Sequence, residues 1–365
     1  MRGTQPSYLL LLTALSLAAD GRRVDFVTKG AIEVDTNENS VFLWRGEVYV
    51  LENIPCYYTE HASRWDQRFA NASYSRIRRE DGSIVTNISA TIGYGFVSAF
   101  VDEDFDTVWF FGSACNRCIR NKDQGCVSER RVTAWVSSDV KLQRWSAPVD
   151  LGGTVATYNV EVARVRASAA DQAANGLPPH SYVMILEEDV EHRYLVNAAL
   201  DGNLRDGWSA IPGSKVPKVN GGPSIRYSEL DGYYYALLGG HTVDLFRTKD
   251  FKTWESSPNA PFLAPSAADA QISNLFGFTP QRAAVRGFTP MAGAANSTRW
   301  DLNSNDADVC CMTKDARFAN TSLVVWGAGT QGRPPKAPLT KANHCANVVA
   351  QAPMSLPQLL AAHFA

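Results

Sequence analysis

SIRYSELDGYYYALLGGHTVDLFRTKDFKTW, residues 224 to 254, holds the pattern on which the fold turns. Two runs rich in β-branched and aromatic residues meet at Leu230-Asp231-Gly232, a combination that reverses a chain into a hairpin. A third apolar run begins at Asp244. It is followed by Thr248, one residue, Asp250 and finally Trp254, so a strand ends in a turn whose side chains bond to their own backbone.

The unit recurs along the chain. TAWVSSDVKLQRW (133–145) has the same strand, Ser-x-Asp and Trp, and AALDGNLRDGW (198–208) is a looser copy. Hairpins of the first kind stand at SVFLWRGEVYVLENI (40–54), turning at Arg45-Gly46, and at SAFVDEDFDTVWFFGS (98–113), with an acidic turn. EVARVRAS and SYVMILEED flank an Ala- and Pro-rich insertion over 169–180, and ADVCCMTKDARFANTSLVVWGAG (307–329) is the last member. Antiparallel meanders recurring at intervals of roughly 50 to 85 residues, with little helical periodicity between them, predict radial β repetition. The expected fold is all-β: a five-bladed β-propeller in one domain over 20–345, with blades starting near 33, 90, 154, 217 and 299 and a C-terminal tail over 346–365. A terminal strand is expected to close the ring. A pair of β-sandwiches would not need a shared order of hairpin, third strand, polar turn and Trp.

Composition narrows the partners. The 365 residues carry a net charge of -2, with 20% charged and 45% hydrophobic residues, the profile of a globular protein with ample core. Lys and Arg are scattered rather than blocked, which excludes nucleic acid as an expected partner. MRGTQPSYLLLLTALSLAAD has an early Arg, an apolar run over 8–17 and small residues after it, the layout of a secretory signal peptide over 1–19. That run is too short to span a bilayer, so a secreted or luminal product is expected. Sequons at Asn71, Asn87, Asn296 and Asn320 agree with export and glycosylation.

The seven cysteines, at 56, 115, 118, 126, 310, 311 and 345, are read as disulfides stapling loops, with one thiol left over. Cys115, Cys118 and Cys126 offer three thiolates to a zinc ion, but no second CxxC or HxxxH accompanies them. Adjacent Cys310 and Cys311 alternate across a strand and are expected to have different partners.

In a propeller the first strand of each blade is innermost. Residues just before it, and just after the second strand, therefore gather around the axis at one mouth. Among the residues which that filter keeps are Asp35, Asn37, Tyr94, Tyr158, Asn159, Glu161, Asn220 and Asp306 before inner strands, and Tyr57, Glu60, His61, Arg64, Glu187, Glu188 and His241 after second strands. Asp102, Glu103, Asp104 and Asp106 fall at the opposite end and are read as a solvated turn. Amides, carboxylates and aromatic faces around one funnel suit a polyhydroxylated ligand. Two carboxylates across a cleft are what glycoside hydrolysis requires, and Asp35 and Glu161 stand out. Asp306 with Asp308 could also join oxygen ligands of a structural calcium at the axis; no other cofactor is expected.

With DGYYYALLGG followed by RTKDFKTW, and the counterpart VSSDVKLQRW, the chain resembles the five-bladed propeller glycosidases that include arabinanases, xylosidases, invertases and levansucrases. The likeness of blade layout covers most of 30–332. It implies Asp35 as general base or nucleophile and Glu161 as general acid; Asn37, Tyr94, Asn159, Asn220, His241 and Asp306, kept by their place at the mouth, are expected to contact sugar. The family's further Asp on the second blade has no counterpart in TIGYGFVSAF, and its Asp-Pro is Asp35-Thr36 here. A carbohydrate-binding or interaction propeller without catalysis is therefore the alternative expectation.

Overall fold

The computed structural model describes residues 27–34, 37–54, 73–79, 83–114, 131–152, 157–188, 193–200, 202, 204–217, 222–238, 243–259, 262, 300–330, 345–352 and 354–365. For 27–34, 37–39, 54, 87, 89, 193, 300–309, 324–330 and 345–352 the description is of the backbone alone. The signal-peptide segment, Asp35, Asn220, His241 and the cysteines at 56, 115, 118 and 126 lie outside the described residues.

Among the described residues twenty strands run in order: β1 (Val27–Val34), β2 (Asn37–Trp44), β3 (Glu47–Ile54), β4 (Tyr74–Arg79), β5 (Ile84–Ile88), β6 (Tyr94–Asp102), β7 (Thr107–Ala114), β8 (Val132–Ser137), β9 (Val149–Asp150) and β10 (Thr157–Arg164). They continue as β11 (Tyr182–Glu188), β12 (Arg193–Ala199), β13 (Ser209–Ala210), β14 (Pro223–Ser228), β15 (Tyr233–Leu238), β16 (Asp244–Thr248), β17 (Glu255–Ser256), β18 (Trp300–Cys310), β19 (Ser322–Thr330) and β20 (Cys345–Ala352). These strands form five antiparallel sheets of four: β2 to β5, β6 to β9, β10 to β13, β14 to β17, and β18-β19-β20-β1. The first strands touch in a closed ring, β2 to β6 to β10 to β14 to β18 and back to β2. The result is a β-propeller with β2, β6, β10, β14 and β18 around its axis.

Two boundaries differ from the sequence reading. Residues 345–352 are not tail but the third strand of the last sheet, and β1 adds the fourth. Chain start and chain end thus pair across 27–34 and 345–352 to close the ring. The tail proper is α2 (Leu356–Ala362), which buries Leu356, Leu359 and Leu360. Its last turn is tied to the β14–β17 sheet, where Ser257 Oγ donates to the His363 carbonyl at 2.7 Å.

Between neighbouring sheets lie apolar layers. Phe42, Leu51, Val97, Phe110 and Trp135 fill the first interface and Phe100, Trp109, Val162 and Met184 the next. Ala163, Ile185, Ile225 and Tyr234 fill a third, and Val41, Val50, Cys310 and Phe318 a fourth. Strand alternation sends Val160 and Val162 to one side of β10 and Ala163 to the other.

The local chemistry of the repeat is visible at its turns. Arg45 and Gly46 both have left-handed φ, 47° and 83°, the conformation of a two-residue hairpin whose twist matches its strands. In the Ser/Thr-x-Asp units, Asp139 N–H bonds to Ser137 Oγ at 3.1 Å and Asp250 N–H to Thr248 Oγ1 at 3.2 Å. Each Asp then collects following backbone donors: Asp139 those of Lys141, Gln143 and Arg144, and Asp250 those of Lys252 and Thr253. The turn drives Leu142 and Phe251, both at positive φ, wholly into the core. Trp145 stacks on Phe110 at 3.9 Å, and its indole N–H caps the Leu142 carbonyl at 3.0 Å, as Trp208 caps Leu204. The insertion after β10 contains α1 (Ala169–Ala174), whose Ser168 cap accepts from the Asp171 N–H and whose Gln172 grips both backbone groups of His180.

Bulges shape the axial ends. The pairing register slips within β2, β6, β10 and β18, each time in the first half of the inner strand. At β6 the slip is held from the preceding sheet: the buried Asn53 amide donates to the Val97 carbonyl at 2.8 Å and accepts from its N–H at 3.1 Å. Asn53→Ala leaves both backbone groups without that partner, so a loss of about 1–3 kcal/mol is expected in a denaturant melt.

Candidate active site at the axial mouth

The site is built on the bulge of β10. Ser113 Oγ donates to the Thr157 carbonyl at 2.7 Å, and Ser98 Oγ donates to the Val160 carbonyl. The preceding sheet therefore pins the strand on both sides of Tyr158 and Asn159. Asn159 sits at φ 48°, and its counterpart in the β6 bulge, Phe96, at φ 56°. A bulge re-aims the side chains it carries. Here it turns Tyr158 and Asn159 onto Glu187, which lies opposite Tyr158 in register at the end of β11. The Tyr158 hydroxyl donates to one Glu187 oxygen at 2.7 Å and the Asn159 amide to the other at 3.0 Å. The Phe96 ring lies 5.1 Å from that of Tyr158. Tyr158, Asn159 and Glu187 are half-buried, whereas the neighbouring Glu188 is only 2% exposed.

Glu161, two residues beyond the bulge, points the other way, toward β14. Its carboxylate meets Arg226 Nη1 at 2.9 Å, with side-chain exposures of 8% for Glu161 and 13% for Arg226. It is a buried ion pair between adjacent inner strands. Tyr94 is half-buried and sets its ring edge-on to Trp135 at 4.8 Å, within the layer between the β2–β5 and β6–β9 sheets. Asn37 and Asp306 lie on β2 and β18, where the description stops at the backbone. Of the expected set, then, Asn159 is brought to a carboxylate at the mouth. That carboxylate, Glu187, passes the positional filter in the sequence but carries no motif of its own.

At the opposite mouth the acidic turn is not simply solvated, as the sequence reading held. Asp102 is 1% exposed, accepting from the Tyr182 hydroxyl with Arg164 at 3.8 Å. Asp104 bridges Arg164 at 3.2 Å and Arg166 at 3.0 Å. Burial opposes ionisation of Asp104, yet Arg166, Arg164 and Lys314 outweigh it and hold its carboxyl below the ordinary value. Glu103 accepts from Thr313, and Asp106 pairs with Arg45. These contacts clasp neighbouring sheets around a cavity of about 570 Å³, whose wall includes Val41, Leu43, Ala99, Arg166 and Lys314.

Cys310 and Cys311 line the same cavity and lie side by side. Among the described residues no three His, Cys, Asp or Glu side chains gather as metal ligands, and no helix is long and apolar enough to cross a membrane.

No family profile matches the sequence, and none of the curated proteins does. The fold does have solved counterparts. The chain is similar to an α-L-arabinofuranosidase, PaAbf62A of Podospora anserina, solved with cellotriose, with a TM-score of 0.54 and 9% identity over 90% of this chain and 96% of that one. It is also similar to a mutant of the GH43 protein BlXynB of Bacillus licheniformis, with a TM-score of 0.52 and 11% identity over 88% of this chain. There the chain spans 54% of the other's length. At such identities the likeness is one of fold alone, a β-propeller.

Proposed function

We propose that this chain is an exported, five-bladed glycosidase-like propeller that holds an oligo- or polysaccharide at the axial mouth and hydrolyses a glycosidic bond there. The observation that carries the reading is the grouping of Tyr158, Asn159 and Glu187: a half-buried aromatic side chain beside an oriented amide and a half-buried carboxylate. Sugars are recognised by that combination, ring C–H surfaces on aromatic faces and hydroxyls on amides and carboxylates. On the pattern of the resembled family, Asp35 activates water or attacks carbon and Glu161 protonates the leaving oxygen. Asn37, Tyr94, Asn220, His241 and Asp306 complete the sugar contacts.

One contact favours a second reading. A guanidinium beside a carboxylate favours its ionised form, whereas a general acid must hold a proton. The Arg226 contact on Glu161 thus supports sugar binding without hydrolysis. The test is hydrolysis of an aryl-glycoside and oligosaccharide panel by the purified protein and by Glu161→Gln. If Glu161 is the acid, the variant loses about 10²–10⁴ in rate, the usual worth of such a group. Unchanged turnover removes it from that role, and sugar binding without turnover by the unaltered protein selects the second reading.

A further inference from the structure

We propose that Glu187 is the carboxylate that grips sugar hydroxyls at the axial mouth, and that Tyr158 and Asn159 are the positioning residues that aim it. The assignment rests on carbohydrate being bound at this mouth, which both readings above share.

The geometry distinguishes Glu187 from the other described glutamates nearby. Glu161 is turned toward the next sheet and engaged by Arg226, and Glu188 is buried. Glu187 is half-buried and lies opposite Tyr158, so the two side chains share one face of the sheet. Donors reach both of its oxygens, from Tyr158 at 2.7 Å and Asn159 at 3.0 Å, which fixes the plane of the carboxylate. An ionised carboxylate is acceptor-only. Such a group is unsuited to donating a proton and suited to accepting hydroxyl protons, and each carboxylate oxygen accepts more than one.

A merely structural account is weaker. A half-buried tyrosine hydroxyl needs no carboxylate partner, because water satisfies it. Yet two non-glycine residues, Phe96 and Asn159, are held at left-handed φ to build this corner. Backbone held in sparsely populated regions clusters at ligand sites. The half-buried Tyr158 ring stands beside the carboxylate, backed by the Phe96 ring at 5.1 Å.

The experiment is a binding titration, read by saturation-transfer NMR, with arabino-, xylo-, galacto- and fructo-oligosaccharides. Unaltered protein, Glu187→Gln and Tyr158→Phe are compared, each first shown folded by its melting curve. Glu187→Gln is expected to bind at least about tenfold more weakly, the worth of a hydrogen bond to a charged group. Tyr158→Phe is expected to weaken binding less and to shift its acid limit to higher pH, because a carboxylate that loses a donor protonates more readily. A purely structural tyrosine would not move that limit. Folded Glu187→Gln binding within about twofold of the unaltered protein on any sugar that the latter binds overturns the assignment while leaving the carbohydrate reading intact. If the unaltered protein binds none of the panel, the carbohydrate reading falls and the assignment with it.

Discussion

Replacing Glu52 by Gln is expected to cost about 3–5 kcal/mol of stability, a large share of a folding margin of about 5–15 kcal/mol. Glu52 on β3 is fully buried, and so, to within 2%, are the two arginines of β4 that hold it. Arg76 Nε donates to one of its oxygens, and Arg78 reaches both, at 2.7 and 3.2 Å. Taking the charge from the carboxylate leaves two guanidiniums in the blade without their counter-ion, and that is the costly step. Exchanging all three side chains for apolar ones of similar volume removes every charge together and is expected to recover most of the loss. Denaturant melts of the single and triple variants check this. A single variant as stable as the unaltered protein would mean that water reaches the trio.

The same trio sets an acid limit. Burial alone would raise the Glu52 carboxyl, but Arg76 and Arg78 outweigh it and hold it below the ordinary glutamate value. A carboxylate depressed in the folded state contributes stability that is complete above its unfolded value and is lost as pH falls through the folded one. His180 acts in the same direction at higher pH. Burial lowers its imidazole below the ordinary value, with the Pro178 carbonyl opposing, so the unfolded chain takes up the proton first and stability begins to fall as pH drops past the ordinary histidine range. Stability is therefore expected to decline in two stages on acidification. Only the lower stage should shrink in the apolar triple variant, the rest of it being carried by other depressed carboxylates such as Asp104 and Asp250.

What the sequence disclosed follows from the range of the forces involved. The Ser/Thr-x-Asp units were readable because Thr248 and Asp250, like Ser137 and Asp139, make their bonds within a few residues. Arg45-Gly46 announced its hairpin for the same reason. Asp102 and Asp106 looked alike in one acidic turn, yet Tyr182 and Arg164, many residues later, bury the first while the second stays exposed. Nothing local marks the slips that place Phe96 and Asn159 at positive φ, because they are held by Asn53, Ser98 and Ser113 of other strands. Glu187 was visible as a position but not as a site, since its significance lies in Tyr158 and Asn159 across the sheet. The closing strand was anticipated, but the pairing of 27–34 with 345–352 joins the two ends of the described chain.

The Arg226–Glu161 pair is where structure and catalysis separate most sharply. Arg226→Met is expected to cost about 3–5 kcal/mol, because it deprives a buried carboxylate of the guanidinium at 2.9 Å. Glu161→Gln should cost less, since the amide oxygen still accepts from Arg226, and the double variant should fall well short of the sum of the singles. Residues in one ion pair are coupled, and the double-mutant cycle measures by how much. If Glu161 is also the acid, any Arg226→Met protein that remains folded should carry the proton more readily, so its activity should persist to higher pH than that of the unaltered protein. An Arg226→Met variant that loses stability and shows no such extension, beside a Glu161→Gln variant that still turns over substrate, would make the pair a bolt between β10 and β14. The proton donor would then have to be sought elsewhere around the mouth.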